Sequence, residues 1–119
     1  MDQATFVKLA RQHCAEAAAD GVIAQLQSPS GRRPPQEKLE RSAWYASLTA
    51  DDERHLRAVV EEAAIASLFG VLCVLDGARS IEDGPDRGHL VLSYSKDFQE
   101  TTLASSAIDM PANPLHELL

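Results

Sequence analysis

Four histidines, two cysteines and several clustered carboxylates are the groups in this chain that could do chemistry. The histidines stand at 13, 55, 89 and 116, and the cysteines at 14 and 73. A zinc site wants closely spaced pairs such as C-x-x-C or H-x-x-x-H, and a di-iron site wants repeated E-x-x-H; the chain has neither. Asp51 and Asp52 precede His55 at helical spacing, but the set occurs once and reads more simply as a helix-cap arrangement. His13 and Cys14 are sequence neighbours and diverge by about 100° on a helix. A Cys–His nucleophilic pair needs an exposed thiol beside a positive group, and both cysteines fall on expected core faces. Ser93-x-x-Lys96 would need a helical turn to converge, and it lies in a strand-like segment. Glu82, Asp83 and Asp86 alternate with Gly84 and Gly88 like a cation loop. Their spacing departs from D-x-[DN]-x-[DN]-G with its distant Glu, and Pro85 removes an amide that a phosphate would want. The expectation is no catalytic residue, no metal and no cofactor. Without a convergent polar set, a binding protein is the better reading than an enzyme.

The elements that must position these groups follow from periodicity. Residues 2–27 read as a first helix whose buried face is Phe6, Ala10, Cys14, Ala17, Gly21 and Ala24. SPSGRRPP, 28–35, is a turn, and Pro35 can open a second helix over 36–48 with Leu39, Ala43 and Ala46 on one face and Trp44 and Leu48 beside it. Thr49 is an N-cap, and Asp51, Asp52 and Glu53 complement the dipole of a third helix. Its apolar set runs Leu56, Val59, Val60, Ala63, Ala64, Ser67, Leu68, with Arg54, Arg57, Glu61 and Glu62 on the other side.

LFGVLCVLDGARSIED, 68–83, continues that period through about Leu75. Gly77 stands where a helix ends on a left-handed residue. The alternative is a strand turning at Asp76-Gly77. Beyond it, ARSIE and HLVLSYS alternate around DGPDRG, 83–88, and predict a β-hairpin, with a third, weaker strand over 101–108. Asn113-Pro114 caps a short final helix, LHELL. The expected fold is therefore a single α+β domain over 1–119: two or three N-terminal helices packed with a small antiparallel hairpin or three-stranded sheet, and a short C-terminal helix.

With 119 residues, 45% apolar and 24% charged, the chain has a globular composition. Its formal charge of −7 and scattered basic residues argue against a nucleic-acid partner, whose binding needs clustered Lys and Arg. MDQATFVKLARQ lacks the basic-then-apolar order of a secretory signal, and no run reaches the ~20 apolar residues of a membrane span. The expectation is a cytoplasmic protein that engages no membrane.

The long helix ending in Leu-Asp-Gly, the following GHLVLSYSKD and the terminal LHELL resemble a pattern in small bacterial proteins of the toxin-immunity type. The resemblance covers about 49–119 and implies stoichiometric occlusion of a protein partner such as a basic toxin domain; it carries no functional residue over. An acidic domain suits such a partner, because its charge steers the encounter. The candidate partner-binding residues are Asp51, Asp52 and Glu53 at the helix start, Glu61 and Glu62 along it, and Glu82, Asp83 and Asp86 in the loop; solvated surface is the other reading of the same groups. The alternative function is a homodimeric structural or adaptor domain, since Ala17, Gly21, Ala63, Ala66 and Gly70 permit close helix packing.

Overall fold

Thr49 does start the dominant element. Its Oγ1 accepts the Asp52 amide at 3.1 Å, and helix α4 then runs over Ala50–Leu75. At 26 residues it is about 39 Å long. The computed structural model describes residues 1–107, 111 and 113–119. The elements before α4 are α1 (Gln3–Ala10), a π-helical segment (Arg11–Glu16), α2 (Ala17–Gln27) and α3 (Gln36–Ala46). After it come strands β1 (Val91–Lys96) and β2 (Gln99–Ser105) and the short helix α5 (Leu115–Leu118). The class is α+β, as the periodicity predicts, and 68–75 is helix, not strand.

Three expectations are corrected. The first concerns the N-terminal helix, whose fully buried side chains are Val7, Ala15, Ala19 and Ile23, while Cys14, Ala17, Gly21 and Ala24 are exposed. The π segment explains the shift. A π turn takes more residues per revolution than an α turn, so a 3.6-residue count carried from Phe6 arrives at Cys14 when the inward position is Ala15. The second concerns α3, which ends at Ala46 and buries Tyr45, whereas Leu39, Ala43 and Trp44 face solvent. Pro35 is its N-cap, not its first turn.

The third correction is the hairpin. ARSIE forms no strand, and β1 pairs with β2, the segment expected to be a weak third strand; Ile108, included in that expectation, lies outside the described residues. The turn is Asp97-Phe98, with φ of 52° and 62°. Both values are left-handed, the pattern of a type I′ turn, which usually announces itself with Asn-Gly or Asp-Gly. Here no glycine marks it. A bulge opposite Leu92 and Ser93 breaks the alternation of β2, so Leu103 and Ala104 are both buried. Gln3 Nε2 donates to the carbonyl of Leu103 at 2.7 Å and to that of Asn113 at 2.6 Å, tying the start of α1 to the bulge and to the C-terminal segment.

The core sits where α1, the end of α4, the sheet and α5 meet: Val7, Leu72, Ala104 and Leu115, with Phe6, Leu68, Leu75, Leu92 and Leu119 packed around them. The π segment and α2 lie along α4, and α3 packs on α2. The result is long, 52 × 37 × 30 Å, with a radius of gyration of 18.7 Å. A globular chain of this length would have about 13.5 Å.

Candidate interaction surface

The long helix α4 is largely uncovered along its most apolar stretch. α4 contains an 18-residue stretch long and apolar enough to cross a membrane by length and composition, and 11% of that stretch is buried. The expectation that no segment reaches this threshold is thereby corrected. Glu61 and Glu62 interrupt the run in the sequence, but the flanking residues are apolar enough to outweigh them. The exposed face carries Val59, Ala63 and Ala66, with Val71 and Ser67 on the adjoining stripe and Gly70 half-covered. Val59 is 61% and Val71 57% exposed. Val60, Ala64 and Leu56 are only half-buried, so the α1–α2 layer covers one side of α4 and leaves the other open.

The carboxylates singled out in the sequence do not form one patch, and Glu61 lies on the side of α4 that faces the α1–α2 layer. Asp51 and Asp52 are exposed and Glu53 half-buried at the N-terminal end. Asp51 is paired with Arg54 and, at 3.5 Å, with His55 Nε2. Glu61 lines a hollow with Arg11, Glu16 and Asp20, in which Arg11 bridges Glu16 at 3.2 Å; Asp20 in turn meets Arg57 at 3.5 Å. Glu62 lines a second hollow with Phe69 and His116. Glu82, Asp83 and Asp86 belong to the loop after α4, at its other end. There Glu82 serves its own loop, accepting the Gly88 amide at 3.0 Å, and Asp83 and Asp86 point to solvent. About 33 Å of helix runs from Glu53 to the end of α4, between the two outer clusters.

One polar pair leaves no trace in the sequence. Asp76, 3% exposed at the end of α4, accepts two bonds on Oδ2 from His116: its backbone amide and its ring Nδ1, both 2.9 Å. The Phe69 ring stands edge-on to the imidazole, with centroids 5.7 Å apart. Pro114, the N-cap of α5, has no side-chain acceptor, so Asp76 caps α5 across 40 residues of sequence. No local signal predicts a contact of that range. The arrangement fastens α5 to α4 and commits the facing carboxylate oxygen to that task.

Cys73 is buried on α4, as expected of a packing residue, and Cys14 is exposed on the π segment. Among the described residues, no three of His, Cys, Asp and Glu gather as a metal site would require. Comparison with protein-family models, with characterised proteins and with solved structures finds no match, so the functional reading rests on the chain's own residues.

Proposed function

We propose that this chain is a non-catalytic binding protein of the cytoplasm, which acts by covering a protein partner in the immunity-like manner its resemblance implies. The observation that carries this reading is the contrast on α4 between apolarity and exposure. Large exposed apolar faces on small domains are where other molecules dock. The carboxylates at the two ends of α4 suit a basic partner: Asp52, Asp83 and Asp86 are free to steer it, and interfacial charge acts mainly on encounter rate and selectivity.

The test is capture in the cells that produce the protein. A photoreactive residue at position 52 or 83 is expected to give a covalent adduct with a different protein. Raised salt should weaken the adduct, as should the Asp51→Asn, Asp52→Asn, Glu82→Gln, Asp83→Asn variant. Absence of any heterologous adduct at both positions would overturn the reading.

A further inference from the structure

We propose that the hollow beside His116 is the anchor point for a lysine of the basic partner, its ammonium held by the imidazole Nε2 and by Glu62. This assignment rests on the proposed binding function and names the side chain that this part of the surface receives. The hollow measures about 490 Å³. It is lined by Glu62, Ile65, Ala66 and Phe69 on one stripe of α4 and by His116 and Leu119 of the C-terminal segment.

The imidazole is set for more than fastening. Capping α5 needs only the bond from the His116 amide to Asp76 Oδ2. The second bond, from Nδ1 to the same oxygen at 2.9 Å, adds nothing to the cap and fixes the ring instead. A carboxylate only accepts, so Nδ1 carries the proton and the neutral ring keeps a lone pair on Nε2. A carboxylate holding one ring nitrogen is the arrangement by which proteins aim the other nitrogen at a ligand. Among the described residues every buried side-chain nitrogen and oxygen is hydrogen-bonded, and Nε2 is not. It therefore lies at the accessible edge of a ring that is 19% exposed, on the hollow that His116 lines.

Charge selects the occupant. Both polar groups of the hollow, Nε2 and the Glu62 carboxylate, are acceptors; the rest of its lining is apolar, and no lysine or arginine contributes to it. The neighbouring hollow differs, because there Arg11 bridges Glu16 at 3.2 Å and Arg57 meets Asp20 at 3.5 Å. Glu62 has no such ion pair among the described residues. A lysine supplies what is missing: an apolar stem for Ile65, Ala66, Phe69 and Leu119, and rotatable donors that can serve acceptors on two different elements. An arginine fork is planar and matches the two oxygens of one carboxylate, which would leave Nε2 unused. A purely apolar side chain would leave both acceptors without a donor, and an anion would be repelled by Glu62.

The experiment is an NMR titration of the nitrogen-labelled full chain with n-butylamine, which reproduces the end of a lysine, beside n-butanol and sodium butyrate. The long-range proton–nitrogen spectrum should place the His116 proton on Nδ1. Butylamine should shift Nε2 of His116 and the amides of Ile65 and Phe69 saturably. Butanol, with the same stem and no charge, should bind about 10-fold more weakly, and butyrate should leave these signals in place. Glu62→Gln changes an exposed side chain, so the fold is kept, and should weaken butylamine about 3- to 5-fold. In extract, a carbodiimide that condenses carboxylates with amines should join Glu62 to a lysine of another protein. An Nε2–H tautomer, butanol that binds as well as butylamine, or Glu62→Gln with undiminished affinity would each overturn the proposal. A Glu62 link to a small amine alone, or no link at all, would overturn the assignment to a partner's lysine. Adducts at positions 52 and 83 without butylamine binding would overturn this proposal and spare the binding function. Butylamine binding without any adduct would overturn the binding function, and with it the lysine, but not the amine site.

Discussion

Asp76 and His116 are joined twice through one oxygen: the carboxylate Oδ2 accepts both the backbone amide and the ring Nδ1 of His116 at 2.9 Å. The pair closes the C-terminal helix onto the core beside Leu72 and Leu115, both almost wholly buried. Asp76→Ala would leave the His116 amide and ring nitrogen without their acceptor, and should lower stability by about 2–4 kcal/mol in urea unfolding. Asp76→Asn keeps an acceptor oxygen and should lose less than half of that. Equal losses for the two variants would show that the bonds to His116 do not hold α5.

Gly77 follows Asp76 with a φ of 75°, and a Cβ there would fall 2.9 Å from the carbonyl oxygen of Ser106. Backbone conformation and sterics therefore act together. Gly77→Ala should cost about 2–3 kcal/mol. It should also loosen the end of β2, read as faster amide exchange around Leu90 and Ser106, whose backbone groups are bonded at 2.9 Å. A neutral outcome would contradict the observed packing of this corner.

Phe98 is the reverse case, a bulky residue in a left-handed turn with its ring wholly in solvent. Phe98→Gly removes the strain and no packing, and should raise stability by about 0.5–1 kcal/mol. A loss on this substitution would mean that the ring is held against something in the functioning assembly.

Asp2 gives a pH dependence with a definite sign. Its side chain accepts the Thr5 amide at 2.8 Å, and the bonds to Thr5 hold its pKa below the ordinary value of 3.8. The folded state therefore favours the carboxylate. This contribution is complete above the unfolded pKa and is lost as pH falls from there through the lowered folded value. The stability difference between wild type and Asp2→Ala should be constant near neutrality and shrink only in that acid window. A difference that grows on acidification would contradict the capping role.

Much of this fold is legible where the sequence carries its own local signal. Thr49 with its acidic first turn announces α4, and Gly77 announces its end. Other parts turn on features that leave no mark. The π segment at Arg11–Glu16 shifts the buried stripe from Cys14 to Ala15 without any distinctive residue. The Asp97-Phe98 turn lacks the glycine that would place the hairpin, so alternation alone pairs 78–82 with β1 and leaves the segment of β2 as a weaker third strand. The Asp76–His116 pair depends on two segments 40 residues apart. For the candidate surface, Val59, Ala63 and Ala66 stand out as an apolar stripe in sequence. Periodicity identifies such a stripe but cannot say which side of a helix the rest of the chain will cover. The acidic residues are visible individually, and only the length of α4 separates them into two ends.

The central claim is that the α4 face is covered when the protein works. Carbene footprinting at native concentration in undiluted extract tests it most directly, with Ile81, 77% exposed in the loop, as the internal reference. Val59 and Val71 should label several-fold less than their 61% and 57% exposure in the single chain would give relative to Ile81. Labelling of Val59 and Val71 in proportion to that exposure would show the face bare and contradict the account.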